Sequence, residues 1–318
     1  MPQQKGATTK VAMGFEATYG TAPATGYLLD VNSCNVVGSK ARNTPATIDG
    51  TRNPSKPFSG NVDVSGPTVI PADSICLAYW LAAMFGDPVS TGSGPYVHEY
   101  KIANTMPSFT LEKHYTDLTT DKYERFTGCK IASFGITVGG DGELTIDMQI
   151  LGATPSFENS AFDASATDIT LARLDNLHAA ITEGGSALSN GRELSINVDF
   201  GLDPDARVIG SGGVRGSIPE GDVSITGTLT TLFEDSTLLD KALADTESSL
   251  KLTITGSANS IFELEIQELQ YDVSGISLDG PTGMVVPMSF NGYYVDGTEA
   301  SAIVARLTNS VASYDLVP

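Results

Sequence analysis

The chain has 318 residues, with 38 acidic against 18 basic side chains and a formal charge of −20. So acidic a surface repels the phosphate backbone, which excludes tight nucleic-acid binding although nucleic acid can still pass nearby without sticking. No stretch approaches the ~20 apolar residues of a membrane span, and a length of this order most simply makes two domains, each able to bury its own core.

Residues 1–25 are polar and rich in Gly, Ala and Thr, which predicts an extended N-terminal arm, loose in a lone chain. Its opening, Met1 to Gly6, holds no apolar run, so no signal peptide is expected. Alternation from Tyr27 to Val37 predicts a first strand marked by Leu29, Val31 and Val37. From Gly38 to Gly60 there are three prolines (Pro45, Pro54, Pro57) and no hydrophobic period. That reads as a long loop, and such loops inside compact domains usually serve a function.

Asn61 to Pro67 reads as a strand. Asp73 and Ser74 offer an N-cap to a helix from Ile75 to Phe85, stopped at Gly86-Asp87-Pro88. Leu77, Leu81 and Met84 share one face of it, with Trp80 beside them as a core residue. Phe109–Tyr115, Tyr123–Gly128, Lys130–Val138 and Glu143–Gly152 read as four strands, the last two joined by a Gly139-Gly140-Asp141-Gly142 hairpin turn. Residues 153–168, rich in Ala, Ser and Asp, have the composition of a linker.

The second half begins near Ile169. Leu171–Ile181 fits helix or strand. Arg192–Gly201 alternates as a strand, Leu202–Gly221 is a second long loop, and Asp222–Leu229 is a strand. Asp235–Leu243 reads as a short helix capped by Asp235 or Ser236. Three or four strands follow between Leu250 and Phe290, with a turn at Asp279-Gly280-Pro281-Thr282-Gly283, and residues 291–318 read as a tail with some apolar content.

The halves repeat one another. Gly60-Asn61-Val62-Asp63-Val64-Ser65-Gly66 matches Gly221-Asp222-Val223-Ser224-Ile225-Thr226-Gly227, and Ser108-Phe109-Thr110-Leu111 matches Ser249-Leu250-Lys251-Leu252. A repeat of this length means two domains of one design. The expected fold is mainly β: two tandem β-sandwich or partly open barrel modules, each with a flanking short α-helix. The expected division is an arm at 1–25, a first module at 26–155, a linker at 156–168, a second module at 169–295 and a C-terminal tail at 296–318.

Catalytic equipment is missing. His98, His114 and His178 are scattered, with no Gly-x-Ser-x-Gly elbow beside them. Cys34, Cys76 and Cys129 form no Cys-x-x-Cys pair and read as small buried hydrophobes, and no Cys/His cluster suits zinc. The acidic turns Asp203-Pro204-Asp205 and Gly139–Glu143 do not match a calcium loop. Gly210-Ser211-Gly212-Gly213 has no Lys-Ser/Thr after it and so is no phosphate cradle. No enzyme activity, cofactor or metal is expected. Two alternatives stand beside a structural role: a carbohydrate-binding or adhesin-like β-sandwich, and a β-sandwich hydrolase using paired carboxylates.

One local reversal of sign stands out. The first long loop carries Lys40, Arg42, Arg52 and Lys56 against Asp49 alone. The bland reading is a solvated loop; the sharper one is a docking element that meets an acidic face on a neighbouring copy.

Gly14-Phe15-Glu16-Ala17-Thr18-Tyr19-Gly20-Thr21 resembles the E-x-x-Y-G-T opening of tail tube proteins from long-tailed phages. The same resemblance continues through the Gly60–Gly66 strand, the helix ending at Phe85-Gly86, His98-Glu99-Tyr100, Pro107-Ser108-Phe109-Thr110-Leu111-Glu112, Tyr123–Gly128 and Lys130-Ile131-Ala132-Ser133-Phe134. It covers about the first 150 residues well, and the second half only as a divergent copy.

The resemblance implies subunits that assemble into rings with a continuous inner β-barrel, stacked into a tube that encloses a tape-measure protein, meets tail-completion proteins and later passes the genome without specific DNA binding. It further implies a place in the virion tail after assembly in the host cytoplasm, and no membrane association. The arm, with Phe15, Glu16 and Tyr19 as its candidate contacts, and the loops at 38–60 and 202–220 would bridge subunits and rings. Two modules per chain favour a ring of three chains with pseudo-sixfold symmetry; six chains is the alternative if the second half faces outward.

Overall fold

A computed structural model describes residues 3–48, 50–256, 259–273, 275, 276, 280 and 283–318. Strands dominate, as the turn-rich and alternating sequence requires. The first half carries β1 (Lys10–Phe15), β2 (Tyr27–Leu28), β3 (Ser33–Cys34), β4 (Val37–Asn43), β5 (Phe58–Pro71), helix α1 (Leu77–Phe85), β6 (Val89–Thr91), β7 (Tyr96–Lys101), β8 (Phe109–Tyr115), β9 (Lys122–Val138), β10 (Thr145–Gly152) and β11 (Thr154–Glu158). The second carries β12 (Thr167–Asp168), β13 (Ala179–Glu183), β14 (Ser186–Ala187), β15 (Gly191–Asp199), β16 (Ser224–Leu232), helix α2 (Thr237–Leu243), β17 (Ser248–Thr255), β18 (Ile261–Tyr271), β19 (Val285–Tyr293) and β20 (Ile303–Asn309).

Strand β9 changes partners along its length. Its first part pairs with β8 and β11, and its second part pairs with β10 and β15. Between them Gly128 takes φ +65°, a left-handed turn of the backbone that glycine adopts without penalty. The two strands expected at Tyr123–Gly128 and Lys130–Val138 are therefore one bent strand.

Strand β18 behaves alike: Ile261–Leu269 pairs with β17 and β20, and Glu268–Tyr271 pairs with β19. Even the bulges coincide. Leu111 faces Phe126 but Phe109 faces Cys129, and Leu250 faces Ile266 but Ser248 faces Leu269. Each bulge inserts one extra residue and bends the strand.

The result is one long inner sheet in the order β4–β5–β10–β9–β15–β16–β19–β18, not closed into a barrel. Two outer sheets cover its apolar face. One runs β12–β2–β1–β8–β9–β11, and the other runs β14–β13–β17–β18–β20–β7–β6. A continuous hydrophobic core joins both halves.

Several elements differ from expectation. The arm ends early: Lys10–Phe15 is a strand with every residue after Lys10 buried, because its apolar run Val-Ala-Met-Gly-Phe is paired with β8 and packed from within. The loop expected at 38–60 is in large part a hairpin, with Val37–Asn43 paired to Phe58–Ser65. The expected first strand, Tyr27–Val37, is broken into β2, β3 and the start of β4. Part of the linker is β11, and part of the tail is β20, buried at Ile303, Val304, Ala305 and Leu307 between β18 and β7. The second-half turn expected at Asp279–Gly283 lies largely outside the described residues.

Helix α1 is not flanking. All nine of its residues are apolar and all nine are buried, as a helix hydrophobic on every side must be. Trp80 meets Phe109 edge-on, and Phe85 meets Phe134 and Phe200. Helix α2, Thr-Leu-Leu-Asp-Lys-Ala-Leu, has a polar side, lies at the surface and buries only Ala242.

The start of α1 is held by the Asp73 carboxylate, fully buried, which accepts from the amides of Ile75 at 3.1 Å, Leu77 at 2.7 Å and Ala172 at 3.1 Å. Burial pushes this carboxyl up, and the amides oppose that shift. Asp235 makes the same kind of bond at the exposed start of α2, from Thr237 N–H at 2.8 Å. Replacing Asp73 by Ala strands three amides, so urea unfolding should show a loss of about 2–4 kcal/mol. Asp235→Ala should cost only about 0.5–1 kcal/mol in the same measurement.

Candidate functional site

The inner sheet alternates apart from its bulges, and its two faces differ in kind. Towards the core it presents Val64, Ile146, Ile150, Phe134, Ile136, Ile196, Val198, Ile225 and Phe290. The other face carries Ser65, Asp147, Gln149, Ser133, Thr137, Ser195, Asn197, Asp199, Thr226, Thr228, Ser289 and Asn291. No Lys or Arg occurs in 61–71, 133–138, 145–152, 194–199, 224–232 or 285–293. A shallow depression on this face is lined by Pro67, Ser133, Asp147, Gln149, Asn197 and Thr226, among others. Such a surface can hydrogen-bond water and repel an anion, but it has no cation to bind one.

Glycine lets strands approach closely at matching points. A Cβ on Gly152 would meet Val64 at 2.8 Å, and one on Gly292 would meet Ile225 at 3.0 Å. In the same way Gly66 lies against Asn35 and Val36, and Gly227 against Ser195 and Phe290.

The sheet's first edge is β4. All seven of its residues are exposed, and among the described residues it pairs with β5 alone. Lys40 and Arg42 stand on this strand, and Arg52 and Lys56 on the loop beyond it; all four are exposed. Among the described residues none of the four enters an ion pair; Arg42 donates weakly to Ser59 at 3.4 Å. Asp49, the one acid expected among them, lies outside the described residues. The same hairpin exposes Val37, Ile48 and Phe58.

The second long loop behaves differently. It folds back onto the first half. Val62 N–H donates to Gly213 O at 3.0 Å, and buried Arg215 donates to Val64 O at 2.9 Å and Gly152 O at 2.6 Å while pairing with Asp63. Glu220 receives Lys130 Nζ at 2.6 Å and Met106 N–H at 2.8 Å. The sequence reads Leu202–Gly221 as a long loop and does not show where it packs. Its two arginines, Arg207 and Arg215, were the available sign that it must find acceptors. Val208 and Ile209 stay exposed at its tip.

Phe15, Glu16 and Tyr19 are placed inside the fold. Phe15 is core. Buried Glu16 accepts four bonds: Gly20 N–H at 2.8 Å, Ser108 Oγ at 2.8 Å, Thr110 Oγ1 at 2.7 Å and Gly128 N–H at 2.8 Å. It thus ties β1 to β8 and to the bend of β9. Tyr19 packs on Gly128, and its buried hydroxyl has no hydrogen-bond partner among the described residues. Glu16→Ala should therefore destabilise by at least about 3 kcal/mol in chemical denaturation. Tyr19→Phe should change stability by under about 0.5 kcal/mol, since it removes no bond.

The three histidines stand apart. His98 is buried, held by Ser90 Oγ at 2.8 Å and Asn309 Oδ1 at 3.1 Å, and burial pushes its pKa down. His114 pairs with Asp121 and His178 with Asp175. Cys76 and Cys129 are buried and Cys34 is half-buried. Among the described residues no group of three or more His, Cys, Asp or Glu is arranged to hold a metal.

No curated protein matches the chain. A family model described as phage tail tube protein matches residues 6–292, and the chain belongs to that family.

Proposed function

We propose that this phage tail tube protein is the subunit of stacked rings whose inner sheet lines the tube, with the polar face of β5, β10, β9, β15, β16 and β19 turned to the lumen. The observation that carries the reading is that face: broad, largely hydrophilic and without Lys or Arg over residues 61–71, 133–138, 145–152, 194–199, 224–232 and 285–293. A lumen so lined repels phosphate and offers only weak, exchangeable hydrogen bonds, so DNA slides through. The same conduit accommodates a tape-measure protein before the genome passes. Tail-completion proteins meet its ends, and assembly takes place in the host cytoplasm before the tube joins the virion.

The ring holds three chains with pseudo-sixfold symmetry. The repeated strand pairing supports two modules per chain: β5–β10, β8–β9, β9–β10 and β9–β11 recur as β16–β19, β17–β18, β18–β19 and β18–β20. Because β9 and β15 pair directly, both modules present their inner strands on one surface, which favours three chains over six.

Negative-stain microscopy of the purified chain should reveal rings or tubes. A strictly monomeric species at high concentration under every condition would overturn the proposal. The β4–β5 hairpin docks copies through Lys40, Arg42, Arg52 and Lys56. Reversing all four charges should lower the assembled fraction in sedimentation at moderate salt while circular dichroism stays unchanged; equal assembly removes the docking role.

Cations placed on the lining should convert a slippery surface into a sticky one. Tubes carrying Thr137→Lys, Asn197→Lys and Thr226→Lys should retain short DNA duplexes in a salt-dependent manner, whereas unmodified tubes should not. Retention by neither would place the face elsewhere than the lumen.

A further inference from the structure

The inner sheet contains one joint between halves, and the repeat says where the next belongs. Inside the chain, Ser133–Val138 of β9 lies antiparallel to Leu194–Asp199 of β15, with Ser133 opposite Asp199 and Gly135 opposite Asn197. One residue further, Phe200 N–H donates to Ala132 O at 2.8 Å.

The equivalent strands can be aligned residue by residue. The shared bulge equates Phe126 and Cys129 of β9 with Ile266 and Leu269 of β18. Carried along both strands, that equates Ile131 with Tyr271, Ala132 with Asp272 and Ser133 with Val273. The pairing bears this out, since Ile150 faces Ile131 and Phe290 faces Tyr271.

On the other side, Gly152 opposite Val64 matches Gly292 opposite Ile225. Their neighbours Gly38 and Val198 are then equivalent. Ser39 thus stands for Asp199, and Lys40 for Phe200. Cys34 opposite Thr68 matches Leu194 opposite Leu229 in the same alignment.

In the chain, β9 has β15 beside it, but β15's equivalent, β4, has no strand on its outer side among the described residues. We infer that β4 of one copy pairs antiparallel with the segment following Tyr271 of the next, in the register of the β9–β15 joint, with Ser39 opposite Val273 and Lys40 opposite Asp272. The occupant is a second copy of this chain, and the inference rests on the ring assembly proposed above.

Two observations made independently of that alignment agree with it. The register sets a lysine beside an aspartate as direct cross-strand neighbours, and opposite charges so placed attract. It also sets Gly275 where Gly135 stands, opposite Val37 rather than Asn197. The two joints thus share a glycine at the same step of the same strand. Val37, Ser39, Lys40, Asp272 and Val273 are all exposed in the single chain. Lys40 thereby belongs to ring closure, and Arg52 and Lys56, further out on the hairpin, to contacts between rings.

The test mixes two single-cysteine chains. Ser39→Cys and Val273→Cys populations are combined, assembled and oxidised, and disulfide-linked peptides are identified by mass spectrometry, with the unmodified chain as the baseline for Cys34. Directly opposed residues lie within disulfide reach, whereas a diagonal neighbour does not. The expected result is a linked dimer joining positions 39 and 273, and none when Ala41→Cys replaces Ser39→Cys. Lys40→Glu should lower the assembled fraction, and Asp272→Lys in the same chain should restore it.

Tubes that form without the 39–273 link, or that link through position 41 instead, overturn this register and leave the tube function standing. Failure of Asp272→Lys to restore the Lys40→Glu chain overturns the pairing of those two residues. Absence of rings and tubes from the unmodified chain overturns the proposed function itself, and the joint with it.

Discussion

Six residues of β9 against six of β15 join the two halves of the chain in one sheet. Backbone hydrogen-bonding groups on a strand edge must find partners, and an edge left open invites another strand. By satisfying one edge of each half against the other, the chain makes a single wide sheet. Its apolar side is then too broad for either half to cover alone. Phe85 of α1 shows the consequence, since it packs at once on Phe134 of β9 and on Phe200, just past β15. The joint in the sheet and the core beneath it are therefore one construction. β20 repeats the stitch on the outer side, where it runs between β18 of the second half and β7 of the first.

The two halves keep their hydrogen bonding and diverge in what they bury. Pairings, bulges and close-approach glycines coincide, yet α1 is buried on all sides and α2 lies at the surface. Each large apolar side chain taken fully out of water contributes roughly 1.5–3 kcal/mol, so the first half holds the heavier core. Its polar fixtures are buried as well: Glu16 and Asp73 each collect several donors from segments distant in sequence. The corresponding start of α2 relies on Asp235 in solvent. Backbone geometry has thus been preserved by glycine spacing and bulge position, which depend little on which side chains fill the interior.

That division explains what could be read from the residues. Phe109–Tyr115 alternates and is flanked by turn residues, and it is a strand with those bounds. The repeat at Gly60–Gly66 and Gly221–Gly227 was visible because the glycines answer to close backbone contact. Elements whose identity depends on distant partners were not. β20 is a short apolar run that becomes a strand only between β18 and β7, and the β4–β5 hairpin carries no hydrophobic period because β4 buries nothing in a single chain. Glu16 drew notice through its motif, but its four donors come from Gly20, Ser108, Thr110 and Gly128, and no local pattern announces such convergence. The polar inner face follows from alternation once the strands are known, since every second residue is Ser, Thr, Asn, Asp or Gln in most of them.

A formal charge of −20 makes copies of this chain repel one another, so attraction between them has to be local and short in range. At physiological salt charges are screened over about 8 Å, which weakens the repulsion between copies but leaves contacts at strand spacing intact. Backbone hydrogen bonds along an edge supply such contacts without regard to net charge, but they carry little information about register, because a slip of two residues preserves every bond. Charge is well suited to supply what they lack. The outer sheet already shows this within the chain, where Arg306 of β20 sits between Glu99 of β7 and Glu265 of β18 and fixes three strands against one another. With few cations available, their position matters more than their number. Those left free of ion pairs on the β4–β5 hairpin stand at an edge of the inner sheet that, among the described residues, still lacks a neighbour.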